Sequence, residues 1–456
     1  MMKRIFFALL LGLPFTVGAQ EPLPPFQPLR YNEDYSGLKG DTSSWYRKLK
    51  YTPLSRRGEA YASFGGEVRY QYFHLRHEDW GAAPRDPDGY TLARFLGQAD
   101  LHAGSSFRLF VQLQGGLANG KASGTSAVDE NPLDLHQAFV DIGNPSSPAH
   151  LRLGRQELSY GSQRLVSVRE LPNNRQSFDA AKALFAFGGY RLDAFWGNYV
   201  TARKGIFDDR SGRDSRLWGA YLVKKDVPFL KNLDLYYLGL HKQQAVFDEG
   251  PGKERRHSAG SRVWGGGGGW AYDFEGVYQW GRFAGSPVRA WTLSSNTTYQ
   301  FEKARLRPEL GLKTEAISGD RGKGDGALGT FNPLFPKGAY FGLAALIGPA
   351  NLFDIHPSLA LELVGEKLVW SLDHDLFWRF STADGIYGPN GALLFGSGNS
   401  GERWIGHQLA TDLTYAPNAF LRFRGEVTWF RAGPYLEAVS PGKDIRFLGL
   451  TAQLKF

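Results

Sequence analysis

The 456-residue chain has no cysteine and two methionines, and no apolar run beyond its first twenty residues approaches the ~18 to 20 needed for a membrane helix. Lacking cysteine, an exported chain cannot be a disulfide scaffold, so its stability must come from ladder hydrogen bonds and packing. The ten histidines are scattered, with no pair at metal-ligand spacing. Ser, His and Asp are present without a nucleophile motif, which speaks against an enzyme. Gly324 to Gly329 (GDGALG) has a dinucleotide-loop pattern but no strand-to-helix context to give it meaning. The formal charge is +8, yet the positive residues fall at alternate positions rather than in a basic patch with stacking aromatics, so no nucleic-acid partner is expected. No cofactor and no metal site are expected. The weak cation candidate Asp320–Gly326 lacks EF-hand spacing.

What the chain does have is glycine, 57 residues, and aromatic side chains, 14%, with a polar mean hydropathy of −0.35. Such a balance suits a membrane β-barrel, in which only alternate residues face lipid. Residues 1–19 read as a secretory signal peptide: Lys3 and Arg4, an apolar run from Ile5 to Leu13, then Val17-Gly18-Ala19. Removing it takes Lys3 and Arg4, two charges, and lowers +8 to +6. Residues 20–57, Pro-rich and then polar and aromatic, are expected to be a periplasmic extension, with residues 58–456 forming the barrel.

The closing stretch, Ile445 to Phe456, sets the pattern. Leu448, Leu450, Ala452, Leu454 and Phe456 share one parity, and Phe447, Gly449, Thr451, Gln453 and Lys455 the other. Alternation with period 2 is the mark of a two-faced strand, and ending on an aromatic residue resembles the closing strand of bacterial outer-membrane barrels. About eighteen such segments follow one another from Glu59 onward. Every second connection is short (Ser105-Ser106, Asn144–Ala149, Gly188-Gly189, Lys224–Lys231, Glu302-Lys303, Gly365–Lys367, Ala416–Ala419). Most of the others are long and polar, among them His74–Tyr90, Leu158–Asp179 and Ser318–His356. Short turns on one rim and long loops on the other predict an all-β, transmembrane antiparallel barrel in the outer membrane, with both termini in the periplasm.

The faces follow from the register. Leu109/Val111/Leu113, Leu359/Leu361/Leu363 and Leu421/Phe423/Val427/Trp429 should meet lipid, with Trp196, Trp370, Trp378 and Tyr415 as interfacial residues. The opposite parity carries Arg94, Arg108, Arg152, Arg305, Arg307, Lys313, Arg379, Arg422 and Arg424, mixed with Glu67, Asp141, Glu362, Asp373, Asp375 and Glu426. Charge on an enclosed face implies water inside. Pro308 inside the expected strand Ala304–Ile317, and the run Gly265–Gly269, fit this scheme poorly.

Leu151 to Asp179 holds Arg152, Arg155, Arg164, Arg169 and Arg175, planar cations suited to carboxylate. The segments LGRQELSYGSQRLVSVRELPNNRQSFDA, LDLHQAFVDIG and GDRGKGDGALGTFNPLFPKGAYFG, with RYNEDYSGLKG and LKYTPL near the start, resemble the alginate export family of outer-membrane proteins. That resemblance implies a monomeric 18-stranded barrel passing an anionic uronic-acid polymer or oligomer. It implies pore arginines at Arg152, Arg155, Arg305, Arg307, Arg422 and Arg424, with Lys313 nearby; parity alone adds Arg94 and Arg108. The family's dedicated exporter has a long periplasmic loop where this chain has the tight turn Ala416–Ala419. Expected partners are outer-membrane lipid, the barrel-assembly machinery and an anionic polysaccharide or oligosaccharide, with periplasmic export components beside them. The alternative is a substrate-specific uptake porin for small organic acids or acidic oligosaccharides, and a third is a structural or adhesive barrel.

Overall fold

The computed structural model describes residues 23–143 and 147–456. The expected signal peptide, and part of the turn Asn144–Ala149, lie outside the described residues.

Among the described residues, eighteen strands form one antiparallel meander that closes on itself, the first strand (Ala60–Arg76) pairing with the last (Ile445–Lys455) from Glu67↔Lys455 to Arg76↔Arg446. Closure leaves no barrel strand with an unpaired edge, which is what a sheet in lipid requires. All eighteen expected segments are strands, and several run past the expected ends, as in Lys231–Phe247 and Gly250–Gly267. Among the described residues, no helix is long and apolar enough to cross a membrane.

The parity holds along the closing strand. Leu448 and Leu450 point outward, 36% and 49% exposed, while Ile445 and Phe447 are buried inside. Phe423, Val427 and Trp429 are likewise outside, and Phe110, Gln112 and Gln114, alternating with Leu109, Val111 and Leu113, are buried within. In a water-soluble protein these outward side chains would be a costly apolar belt; in a bilayer they are the contact surface.

One strand begins later than expected. Residues 301–308 form a turn and the strand is Glu309–Ile317. Leu306 and Arg307 take positive φ there (65° and 40°), and Pro308 ends the turn, where its missing N–H breaks no ladder. Arg305 and Arg307 therefore belong to the inner rim and not to the barrel wall. The glycine run resolves similarly: Gly265 to Gly267 are in strand, and Gly268 and Gly269 make the hairpin turn at positive φ. On the long-loop rim two connections, residues 248–249 and 284–285, are tight turns.

The segment before the barrel is folded against it. A short helix, Trp45–Lys50, is capped by Ser44 Oγ, which accepts from Arg47 N at 3.2 Å. Tyr35, Leu38 and Tyr51 pack with Tyr61 of the first strand. Tyr31 enters the barrel and meets Phe110 and Phe139 edge-on. Arg30 donates to the carbonyls of Gly66 and Phe456, both at 3.0 Å, tying this segment to the strand seam.

Candidate functional site: a partitioned lumen

Two long loops fold inward and join in mid-barrel. Residues 157–177 and 318–351 form a parallel bridge at Val166 and Phe335, with Ser167 N donating to Phe335 O at 3.0 Å and Phe335 N to Leu165 O at 2.8 Å. Leu158, Leu165, Val166, Phe331, Tyr340 and Phe341 are buried with inward residues of the barrel, so apolar packing holds the partition.

Arginines complete it. Arg164, on the first loop, reaches the far wall: it pairs with Glu275 at 3.2 Å and Glu315 at 2.7 Å, donates to Ser294 Oγ at 2.5 Å and bonds the Tyr340 hydroxyl closely. Arg69 donates to the carbonyls of Glu170, Leu171 and Pro172 at 2.6, 3.1 and 2.9 Å. Asn173 Nδ2 donates to Ala93, Leu117 and Asp129 carbonyls at 3.1, 3.0 and 2.9 Å. Backbone carbonyls buried without partners would destabilise such a loop, and these side chains supply the partners.

The sequence-predicted site residues divide by location. Arg94 is fully buried and held by Glu67 at 2.6 Å and by the Glu170 carboxylate. Arg108 pairs with Asp100 at 2.7 Å, and Arg152 with Asp141 at 2.7 Å while lying 4.2 Å from the Tyr31 ring centre and 4.1 Å from that of Phe139. Arg155 pairs with Asp179 at 2.9 Å. Arg307 pairs with Glu362 at 3.0 Å across the inner rim, and Arg305 is exposed beside it. Lys313 pairs with Glu315 at 3.2 Å, and Arg424 with Glu426 at 2.9 Å and closely with Asp412. Arg422 is exposed and has no ion pair among the described residues.

The N-terminal segment covers the wall that holds Arg108 and Arg152. Arg108 donates to Tyr31 O at 2.6 Å, Arg175 to Pro28 O at 3.1 Å, and the Tyr31 hydroxyl donates to Glu157 O at 3.0 Å. The open space lies elsewhere. An outer chamber of about 510 Å³ is lined by Arg169, Gln176, Tyr199, Lys242, Gln244 and Phe335, among others. An inner chamber of about 280 Å³, against the opposite wall, is lined by Lys313, Phe341, His356, Asp373, Asp412 and Arg424, among others.

Arg169 and Lys242 have no carboxylate partner among the described residues, and Arg169 Nε is buried without an acceptor. Lys242 did not stand out in sequence as a site residue. Arg169 is one of five arginines in its stretch, and only its place at the outer face of the partition separates it from the others. Among the described residues two groups have metal-ligand geometry: His356, Asp373 and Asp375, and Asp134, Asp208 and Asp209. In the second, backbone amides already occupy the carboxylates, Asp134 accepting from Leu135 N and Asp209 N, and Asp209 from Arg203 N. Asp320, the sequence candidate, likewise accepts from Gly329 N at 2.6 Å and Gly322 N at 3.3 Å, which is turn chemistry.

A closed eighteen-strand barrel with an apolar belt, a charged lumen and inward loops defines an outer-membrane channel. The chain belongs to the alginate export family, whose model matches residues 60–444. Among solved structures it is similar to Pseudomonas aeruginosa OccK2 (OpdF) in complex with glucuronate, with 14% identity, 86% of this chain and 98% of that one covered, and a TM-score of 0.57. It is similar to OccD3 (OpdP) of the same organism, with 15% identity, 90% and 93% covered, and a TM-score of 0.58. OpdK with vanillate, also from Pseudomonas aeruginosa, gives 11% identity, 87% and 98% covered, and a TM-score of 0.57. At these identities the likeness shows the fold alone. A search of curated protein sequences found no match.

Proposed function

We propose that the barrel is a selective channel for small carbohydrate-like solutes bearing a carboxylate, of the size of one or two uronate units. The observation that carries this reading is the partition, which divides the lumen into chambers of about 510 and 280 Å³. Chambers of that order suit a small ligand, and a continuous polymer would need the partition to move. The outer chamber offers what an acidic sugar needs. Arg169 and Lys242 are free to meet the carboxylate, Gln243 and Gln244 to meet hydroxyls, and the Tyr199 and Phe335 rings to meet an apolar ring face. Charge of both signs in the inner chamber keeps a passing anion from binding too tightly to leave. The structure of OccK2 (OpdF) with glucuronate gives this solute class added support as an analogy of fold.

Single-channel recording with glucuronate, galacturonate and uronate oligomers of increasing length tests the proposal. Block and flux should be strongest for one or two units and fall with length. Arg169→Ala combined with Lys242→Ala should weaken block several-fold. Polymer export, which the family's description favours, replaces this reading if long uronate chains enter better than monomers.

A further inference from the structure

We infer that His356, Asp373 and Asp375 form a binding site for a divalent transition-type cation on the wall of the inner chamber. Their ligand atoms all lie within 4.8 Å of one another, and all three side chains line the chamber. The site sits on two adjacent strands, Leu352–Glu366 and Leu368–Arg379, where the ladder is interrupted. Ile355 pairs with Leu376 and pairing resumes only at Ser358 with Asp373, because Pro357 has no N–H to give. The register is the same on both sides of the gap, so His356 lies opposite Asp375, with Asp373 two residues away on the same face of that strand.

The surroundings are those of a ligand set. Metal-binding imidazoles characteristically give their second nitrogen to a carboxylate, which fixes the ring and its tautomer. Here Nε2 of His356 meets Asp354 Oδ1 at 2.6 Å, leaving Nδ1 toward Asp375, while Gln408 Nε2 donates to the other Asp375 oxygen at 2.8 Å. Phe341 stacks on the imidazole, ring centres 5.0 Å apart and planes 9° from parallel.

A second and independent observation is the unmet negative charge. Asp354 and Glu315 face each other across neighbouring strands, both fully buried, and Asp354 Oδ2 and Glu315 Oε2 have no hydrogen-bond partner. Asp373 Oδ1 is also buried and unpartnered. An imidazolium between Asp354 and Asp375 would account for the His356 contacts and leave all three of these oxygens unpaired. Buried carboxylate oxygens without partners are costly, and directly opposed like charges are destabilising. Lys313 and Arg164 answer Glu315, and Arg164 is shared with Glu275, so this group of four carboxylates remains short of positive charge. A cation at His356, Asp373 and Asp375 supplies it.

One imidazole with two carboxylates suits Zn²⁺, Mn²⁺ or Co²⁺ better than Ca²⁺, which takes oxygen ligands. The remaining positions would face the chamber, where water or a solute carboxylate completes the shell. The site does not depend on which solute the channel carries.

The test uses the full-length protein in detergent after chelation, titrated with Zn²⁺ by calorimetry and with Co²⁺ by visible absorption. One equivalent should bind, and the Co²⁺ spectrum should report an imidazole–carboxylate site. Asp373→Asn and His356→Gln should abolish both signals, with circular dichroism confirming that each barrel folds. Asp354→Asn should weaken binding roughly 10–100-fold, and Asp412→Asn, in the same chamber but outside the ligand set, should bind as before. Absence of stoichiometric binding, or an unchanged Co²⁺ spectrum in folded His356→Gln, overturns the proposal.

Discussion

The two walls of this lumen carry the same kinds of residues and use them differently. On the first strands, Arg94 and Arg152 are buried and Arg108 partly so, each is matched to a carboxylate, and they are covered by the loop of residues 157–177 and the N-terminal segment. On the wall that includes Glu309–Ile317 and Leu421–Ala432, Lys313, Asp373, Asp412 and Arg424 border open space. The first wall reads as the channel in sequence, being richest in arginine, and in the structure it is the side that is filled in. The difference lies in cover rather than in pairing: Lys313 and Arg424 are also matched to carboxylates, yet they border an open chamber because no N-terminal segment is laid over them.

Breaking a buried pair on the filled wall should give the largest effect. Arg152→Ala leaves Asp141 buried beside Arg108 at 3.6 Å alone and should cost about 3–5 kcal/mol of stability, read by urea unfolding of the barrel in detergent or bilayers. Arg424→Ala on the open wall, where the side chain is 27% exposed, should cost no more than about 1 kcal/mol. Equal losses would erase the contrast between the walls.

Uncovering the filled wall comes next. Deleting residues 23–50 removes Tyr31 from Arg152 and Arg108. Conductance should rise and anion preference strengthen, both read in planar bilayers. Unchanged values would mean that the segment does not obstruct the path.

Reversing charge on the open wall should have a smaller effect. Arg422→Glu with Arg424→Glu should move the reversal potential toward cations while the barrel still folds. Most of that shift is expected from Arg422, since Arg424 is already answered by Asp412 and Glu426.

The smallest effect concerns the outer rim. Burial, opposed by the Gly329 amide and reinforced by Glu249 and Asp384, pushes the Asp320 carboxyl from 3.8 up to about 7. Between those values the folded loop keeps a proton that the free loop loses, so docking weakens as pH rises through that window and is weakest above about 7. Hydrogen-exchange protection across residues 320–329, taken relative to the intrinsic base-catalysed rate at each pH, should be lower at pH 8 than at pH 5.5, and Asp320→Asn should flatten the difference.

Much of the barrel was legible because a strand repeats every two residues and a closed barrel sorts its turns by rim. That logic placed eighteen strands and put Arg94, Arg152 and Arg424 inside. It also held clues that parity alone does not use. Asp141 opposite Arg152 follows from the register of one hairpin, and Asp354-x-His356 beside Asp373-x-Asp375 follows from another. Pro308 was the legible warning that Arg305 and Arg307 lie in a turn.

The sequence by itself determined the architecture of the barrel: strand number, the lipid-facing belt, the sorting of loops by rim and, Arg305 and Arg307 apart, which residues face inward, since all of these rest on local alternation and turn length. Tertiary structure decided which inward charges remain free. The partners of Arg94, Arg164 and Arg175 arrive from Glu170, Glu315 and Pro28, which no local rule links to them. Whether a lumen is open depends on where the loops settle, and that is fixed by packing and hydrogen bonding between segments far apart in the chain.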